Sequence, residues 1–267
     1  MEAAIVLTKR GHEVTLYEKR RIGGTMNEAA FDKTIKGDIR LLIEHFAAQI
    51  KKNNINVVEE EATAEKILAE NYDAVILATG AQAVPPKVKG ADTHKSVSTV
   101  FDYASNAENA ELGDTVLIVG GCFMNLEMAY GLALKGKKVI LSSRRGTGRM
   151  GIMELGDDNS SPGQQRLNIL MAQHRDKITM LLGKNIKEIT PEGAVFEDVR
   201  TKAETKVECD NIIICRGYTG RPKLYDELYD KVPELYMAGD ATMKLRCVDK
   251  RVIGNAVEDA FGVANRI

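Results

Sequence analysis

The chain carries two copies of one sequence unit. Residues 11–24 read GHEVTLYEKRRIGG and residues 136–148 read GKKVILSSRRGTG, and both segments run from a glycine through an apolar stretch to charged residues and glycines. At the same offset, which is about 125 residues, the opening MEAAIVLTKRG falls on LEMAYGLALKG. A later pair, YDAVILATG at 72–80 and CDNIIICRG at 209–217, follows in the same order. Two pairs of similar segments that occur in the same order predict a duplicated fold.

The two copies differ where they begin. The second opens with DTVLIVGGCFMN at 114–125, an apolar run followed by a Gly-Gly turn. Such a run is typical of a parallel strand that is buried on both faces. Met1 aligns with Leu126, so we expect the first strand and Gly-rich turn of the first copy to lie upstream of residue 1. Because that strand would be central in its sheet, we expect upstream residues, a partner chain or a second copy of the chain to fill its place.

This organisation predicts an α/β fold with two Rossmann-like, three-layer nucleotide-binding domains, the second inserted in the first. The first domain is expected to comprise residues 1–108 and 221–267, and the second residues 109–220. Between residues 146 and 163 the sequence is rich in Gly, Asp and Ser, which predicts an irregular or mobile loop. The elements expected in the first copy are helices at 1–10, 35–53 and 64–69 and strands at 13–17, 55–58 and 74–78.

Charge and composition exclude several classes of partner. The formal net charge is -1 and the chain has no Trp, so neither a basic patch nor a stacking surface points to nucleic acid. No apolar run approaches the roughly 20 residues that span a bilayer, and the N-terminus lacks the features of a signal peptide. We therefore expect a cytoplasmic protein that binds neither nucleic acid nor membrane.

The cysteines and histidines do not suggest a metal site. Cys122, Cys209, Cys215 and Cys247 form no C-x-x-C pair, and the histidines are scattered. We expect reduced structural thiols and no metal. A disulfide reductase is disfavoured because the sequence contains no closely spaced cysteine pair.

In the first copy, Glu18 directly follows the expected strand. A dinucleotide site needs a polar side chain at this point, and a carboxylate here can accept hydrogen bonds from both hydroxyls of the adenosine ribose. The alternative is an ordinary surface glutamate.

In the second copy, the G-x-G-x-x-G pattern maps onto residues 120–125, where Gly120 and Gly121 open the turn. Only the first glycine of the pattern is kept, since Cys122 and Asn125 replace the other two. Two further candidate residues belong to this copy. They are Glu127, which the duplication aligns with Glu2, and Gly217, which ends the segment at 209–217.

The expected second strand of the second copy ends in a run without an acidic residue: Ser142, Ser143, Arg144 and Arg145. Hydroxyl and guanidinium groups bind a 2′-phosphate, which a carboxylate would repel. The run therefore favours NADPH over NADH. The alternative is that the two arginines form a solvated turn.

The run GHEVTLYEKRRIGGTMNEAA, the LATG at 77–80 and the AGDA at 238–241 together resemble one family. They are similar to the C-terminal FAD/NAD(P)-binding region of the NADH:flavin oxidoreductase (old yellow enzyme-like) group, which includes 2,4-dienoyl-CoA reductase, 2-enoate reductase and trimethylamine dehydrogenase. The resemblance covers nearly the whole chain.

The resemblance implies roles for residues of the first domain. Glu18, with Lys19 beside it, would hold the adenosine ribose of FAD. A helix starting near Val252 would direct its N-terminal dipole toward the flavin. The loop that would approach the flavin comprises Gly23, Gly24 and Thr25. The turn that would lie against the nucleotide comprises Ala78, Thr79 and Gly80. The contacts to the ribityl or pyrophosphate part of FAD would come from Gly239 and Asp240.

The resemblance also implies a function. The chain would be a reductase module that passes electrons between NAD(P)H and FAD, and onward to a barrel domain with FMN and an iron–sulfur cluster. Because the cofactors carry the hydride chemistry, no catalytic acid, base or nucleophile is expected. The alternative is a non-catalytic, ADP-binding or structural remnant of such a reductase, since some relatives bind only ADP at the first site.

Overall fold

The computed structural model describes residues 1–144, 162–215, 217–242 and 253–267. The chain divides into two compact units, one formed by residues 1–82 and 217–267 and the other by residues 83–216. None of the described helices is both long enough and apolar enough to cross a membrane.

The described residues form the following helices: α1 Glu2–Lys9, α2 Met26–Ala29, α3 Lys33–Lys52, α4 Ala64–Ala69, α5 Val100–Ser105, α6 Phe123–Leu134, α7 Pro162–Ala172, α8 Lys223–Leu228 and α9 Ile253–Ala264. They form the following strands: β1 Thr15–Tyr17, β2 Asn56–Val58, β3 Ala74–Leu77, β4 Ala81–Ala83, β5 Val97–Thr99, β6 Thr115–Val119, β7 Lys138–Ser143, β8 Ile178–Leu182, β9 Lys184–Thr190, β10 Gly193–Asp198, β11 Glu204–Glu208, β12 Asn211–Ile214, β13 Tyr218–Gly220 and β14 Glu234–Met237.

The second unit is built on a five-stranded parallel sheet with the order β5-β12-β6-β7-β8. Its central strand β6 is buried on both faces, and Val116, Leu117 and Ile118 have no exposed surface. This burial explains why the strand is apolar without alternation. The strand order and the parallel pairing confirm the predicted Rossmann-like fold.

An antiparallel meander of β9, β10 and β11 lies between β8 and β12 in the chain. Its Phe196 is fully buried and joins Leu117 and Ile212 of the parallel sheet in one apolar cluster. The meander therefore covers one face of the sheet.

The first unit contains two separate parallel pairs, β1 with β2 and β3 with β14. The duplication relates β1 to β7 and β3 to β12, and in the second unit β6 lies between those two strands. In the first unit no described strand joins β1 to β3. The pair β1-β2 packs against α1 and α3 through Ile5, Phe46 and Ile50.

The duplication extends to backbone hydrogen bonds. After α1, Gly11 N–H donates to Thr8 O and His12 N–H to Leu7 O. After α6, Gly136 N–H donates to Ala133 O and Lys137 N–H to Leu132 O. This is the same Schellman cap at aligned positions, with φ values of 95° at Gly11 and 87° at Gly136.

The boundary between the units differs from the prediction. It lies after residue 82 rather than after residue 108. The reason is that β5 pairs with β12, which places residues 83–108 with the second unit. The return to the first unit comes after residue 216, close to the predicted residue 220.

Two predicted features lie at the limits of the described residues. The loop predicted at 146–163 lies outside the described residues except for Pro162 and Gly163, which begin α7. Helix α9 is described from Ile253 onward, next to the start predicted near Val252.

The paired caps give a first prediction. Gly11→Ala and Gly136→Ala should each lower the free energy of unfolding by about 1–2 kcal/mol, because a Cβ disfavours the left-handed conformation. The matched control is Gly262→Ala, within α9, where an added Cβ meets nothing within 4 Å and φ is not positive. That control should raise stability by about 0.5–1 kcal/mol. Denaturant unfolding monitored by circular dichroism checks the opposite signs, and a stabilising Gly11→Ala would contradict the shared cap.

Candidate nucleotide-binding sites

Glu18 lies at the carboxyl end of β1, as predicted. Its backbone N–H donates to Val58 O of the neighbouring strand at 3.0 Å, which fixes where the chain leaves the sheet. The Arg20 backbone N–H donates to Glu18 Oε1 at 2.9 Å, and this orients the carboxylate. The side chain is half-buried, and no described residue donates a hydrogen bond to Oε2. A carboxylate held in this way can accept ribose hydroxyls.

The two basic residues after Glu18 have different partners. Lys19 pairs with Glu61 at 2.6 Å, and both side chains are largely exposed. This ion pair lowers the pKa of Glu61. Arg20 pairs with Glu28 Oε1 at 2.7 Å, and the Glu28 side chain is only 4% exposed. Glu28 Oε2 is buried without a hydrogen-bond partner in the described structure.

Tyr17, the last residue of β1, faces Tyr72 across a hydroxyl–hydroxyl distance of 3.3 Å. This hydrogen bond raises the pKa of Tyr17 to about 12.

The loop at residues 23–25 meets the turn at residues 78–80. A Cβ placed on Gly80 would lie 3.8 Å from Thr25 Oγ1, so the two segments are in contact. Gly23 has a positive φ of 104°, and a Cβ there would lie 2.8 Å from Asn27 Nδ2 and 2.9 Å from Ile43 Cγ2 of α3, so a larger residue would be strained. Gly24 faces open space, where a Cβ meets nothing within 4 Å. The structure thus brings together two of the segments that the sequence predicted for one site.

The turn after β3 is fixed by reciprocal hydrogen bonds. Thr79 Oγ1 donates to Arg221 O at 3.3 Å, and Arg221 Nη1 donates to Thr79 O at 3.4 Å. Ala78 is exposed just before this turn.

Asp240 follows the neighbouring strand β14. Ala238 N–H donates to Leu77 O at 3.1 Å, so β3 and β14 end at the same edge. Gly239 N–H donates to Asp259 Oδ2 of α9 at 3.2 Å. Gly239 and Asp240 then begin a short 3-10 helix, Gly239–Thr242, in which Asp240 is half-buried.

In the second unit, the turn after β6 packs closely against β12. A Cβ on Gly120 would lie 2.3 Å from Cys215 O, so only glycine fits at this position. Asn125 Nδ2 donates to Gly120 O at 3.0 Å and holds the turn from within α6. Asn125 is fully buried, and its Oδ1 has no partner in the described structure. The turn and helix α6 form the strand–turn–helix on which dinucleotide sites are built.

The residues expected to select NADPH are only partly exposed. The Ser142 hydroxyl is buried and donates to Ile118 O at 3.3 Å, since β7 extends to Ser143 and both serines remain within the sheet. Arg144 is exposed directly after the strand. Arg145 lies outside the described residues. Any recognition of a 2′-phosphate within the described part of this run therefore falls to Arg144.

The remaining candidates of the second copy lie at different depths. Gly121 is part of the turn between β6 and α6 and is half-buried. Glu127 is buried within α6, so its side chain belongs to the interior of the unit. Gly217 follows β12 with a φ of 103°, at the point where the chain returns to the first unit.

Sequence reasoning missed one pair of residues. Cys122 Sγ lies 3.6 Å from Cys215 Sγ, although the two are 93 residues apart. Spacing rules detect only cysteines that are close in the chain. The available signal was that both cysteines follow strands that are neighbours in a Rossmann sheet. Cys209, in contrast, is a buried thiol, and burial raises its pKa to about 11.

The residues present fit nucleotide cofactors in both units. The first offers the oriented Glu18 carboxylate, the open space at Gly24 and Asp240 at a shared strand edge. The second offers the start of helix α6 directly after the Gly120–Gly121 turn, and such helix termini bind pyrophosphate. Among the described residues, no group of three His, Cys, Asp or Glu side chains could hold a metal ion.

Comparison with known proteins gives a family match. The model of the pyridine nucleotide-disulphide oxidoreductase family matches residues 1–258. The NADH oxidase of Thermoanaerobacter brockii is 29% identical, with 100% of this chain and 39% of the oxidase covered. The bilirubin reductase of Mediterraneibacter gnavus is 28% identical, with 99% and 38% covered.

A solved structure of 2-naphthoyl-CoA reductase in complex with 2-naphthoyl-CoA superposes with a TM-score of 0.82 at 27% identity. It covers 100% of this chain and 38% of the reductase chain. The chain thus spans about two fifths of the length of the relatives it matches. Similarity to oxidases and reductases does not favour the alternative of a non-catalytic remnant.

The two ion pairs beside Glu18 give a matched test of stability. Arg20→Ala should lower the free energy of unfolding by about 1–3 kcal/mol, because it leaves the buried Glu28 carboxylate without its cation. Lys19→Ala removes an exposed pair and should cost less than about 1 kcal/mol. Urea denaturation of the two variants measures the difference. Equal losses of unfolding free energy in the two variants would show that the burial of Glu28 does not add to the cost of removing its cation.

Proposed function

Because the chain belongs to the pyridine nucleotide-disulphide oxidoreductase family, we propose that it is a reductase module in which the first unit binds FAD, the second binds NAD(P)H, and electrons pass between them. The observation that carries the proposal is the first unit, where Glu18, the Thr25–Gly80 contact and Asp240 lie at the ends of parallel strands. Members of the family bind FAD and NAD(P).

When bound, the flavin supplies the chemistry that accepts two reducing equivalents from a nicotinamide and releases them to a further acceptor. The chain's own residues bind the FAD and orient it. Glu18 accepts the ribose hydroxyls of the adenosine, and the open backbone at Gly24 admits a close approach. Thr79 and Gly80 form the turn against the nucleotide, and Asp240 accepts a hydrogen bond from a ribityl hydroxyl.

The second unit binds the nicotinamide nucleotide at the carboxyl edge of its sheet. Ligands of open α/β sheets bind where the strand order reverses, which here is between β6 and β12. The start of α6 receives the pyrophosphate. Arg144, exposed at the end of β7 with no acidic residue beside it in the sequence, favours NADPH over NADH.

The electrons leave the module for a further redox centre. The relatives that match this chain are more than twice as long, and this supports a partner domain in a larger enzyme. An FMN barrel with an iron–sulfur cluster is the partner we propose.

Flavin binding tests the first site. Glu18→Gln should weaken the affinity for FAD by about 10- to 100-fold, because charged hydrogen bonds to the ribose are lost. The control is Glu13→Gln, an exposed carboxylate just before β1, and it should leave the affinity unchanged. Quenching of flavin fluorescence on titration measures both.

The same preparation tests electron transfer. NADPH added to the FAD-loaded protein under anaerobic conditions should bleach the flavin absorbance. Absence of bound flavin, or bound flavin that no nicotinamide reduces, would contradict the proposed function. Binding of ADP without FAD would instead favour a nucleotide-binding remnant.

Cofactor choice tests the second site. Arg144→Ala should weaken NADPH binding by about 10-fold and leave NADH binding nearly unchanged, since only NADPH carries the 2′-phosphate. Arg200→Ala, an exposed arginine in the turn after β10, is the control for a general loss of positive charge. Isothermal titration with each nucleotide measures the effect. Equal weakening of both nucleotides by Arg144→Ala would contradict the preference.

A further inference from the structure

Two cysteines face each other across the point where the strand order of the second unit reverses. Cys122 follows β6 and is the residue before α6, whereas Cys215 directly follows β12. Their Sγ atoms are 3.6 Å apart. We propose that Cys122 and Cys215 form a reversible disulfide, and that this disulfide closes the nicotinamide site; the second half of the inference rests on the proposed function.

The backbone around the pair is fixed by several close contacts. Cys215 N–H donates to Val119 O at 2.8 Å, and Gly120 N–H donates to Ser142 O at 2.9 Å. Gly120 also packs directly on the Cys215 carbonyl, where a Cβ would lie 2.3 Å from the oxygen. The ends of β6 and β12, which the two cysteines follow, are therefore held side by side. A disulfide requires sulfur atoms about 2.05 Å apart, so bond formation needs the sulfurs to approach by roughly 1.5 Å.

The exposure of the two thiols suits an oxidation in two steps. Cys122 is partly exposed and Cys215 is buried. The Cys122 thiolate attacks one oxygen of hydrogen peroxide, which gives a sulfenic acid and releases hydroxide. The Cys215 sulfur then attacks the sulfenic sulfur, and the S–S bond forms as water leaves. The thiols together lose two electrons and two protons, and one peroxide becomes two waters.

A metal ion is a poorer explanation for the pair. No third His, Cys, Asp or Glu of the described residues joins the cysteines in a metal-binding group. Two sulfur atoms without a further ligand do not complete a tetrahedral site of the kind that zinc prefers. Neighbouring thiols of unequal exposure are instead typical of cysteines that oxidise to a disulfide.

The position of the bond gives it a consequence for binding. Cys122 replaces the second glycine of the G-x-G-x-x-G pattern, which is the position where the backbone approaches the pyrophosphate. In the reduced protein the Cys122 sulfur is directed toward Cys215. The disulfide ties Cys122 itself, two residues beyond the Gly120 contact, to the end of β12, so the start of α6 can no longer adjust to the nucleotide. Oxidised protein should therefore bind NADPH at least about 10-fold more weakly, which is the effect of losing one charge-assisted hydrogen bond.

Peptide mapping of the full chain tests the bond itself. The protein is treated with hydrogen peroxide, its remaining thiols are alkylated, and it is digested without reductant. We expect a linked peptide pair containing Cys122 and Cys215, lighter by two hydrogens and split by dithiothreitol. Cys122→Ser and Cys215→Ser should abolish the pair, whereas Cys209→Ala, which removes the buried thiol, should retain it. Alkylation of both cysteines after peroxide treatment, or a link from either one to another cysteine, would overturn the proposal.

Nucleotide titration separates this inference from the proposed function. NADPH binding to reduced protein, with weaker binding after oxidation that dithiothreitol restores, supports both. Equal binding before and after the bond forms would overturn the closure of the site. If the reduced protein binds no NADPH although the disulfide forms, the proposed function fails while the thiol pair stands. Cys122→Ser should make NADPH affinity insensitive to peroxide.

Discussion

Parallel pairing of β6 with a neighbour on each side is the constraint on which the second unit depends. Because β12, β6 and β7 run in the same direction, their carboxyl ends meet at one edge of the sheet. Gly120, Cys215 and Arg144 reach that edge from three separate parts of the chain. The close approach of Gly120 to the Cys215 carbonyl then sets the distance between the turn and β12, and with it the position of the two sulfur atoms.

The first unit repeats this plan, but no described strand lies between the two strands that correspond to β7 and β12. The strands that correspond to β7 and β12 are present, and each has its outer neighbour, but the described residues form two parallel pairs instead of one sheet. Helices α1 and α3 pack on one pair, and α4 and α8 contribute to the cluster on the other. Contact between Thr25 and Gly80 brings the loop after one pair to the turn after the other. The candidate flavin residues thus depend on loop contacts as much as on the sheet.

Much of this architecture could be predicted from local patterns, and the misses have physical causes. Helix α4 was predicted at its observed bounds, 64–69, and α3 was predicted within two residues of them. The unit boundary was placed too late because β5 shows its membership only through pairing with β12, a strand more than a hundred residues away. The Ser142 hydroxyl was expected at a phosphate, but one further residue of strand pairing in β7 keeps Ser143 within the sheet and Ser142 buried.

The sequence by itself determined the duplication, the α/β class and the position of Glu18 after a strand, because these follow from the order of apolar runs, glycines and charges along the chain. Only the tertiary structure decided which side chains meet. It distinguished Gly23, where a Cβ would crowd side chains of α2 and α3, from Gly24, which faces open space. It also placed the sulfur atoms of Cys122 and Cys215 3.6 Å apart, although the two residues are 93 positions apart in the chain. The physical reason is that strand neighbours in a parallel sheet are set by crossover connections, and these leave no mark in local spacing.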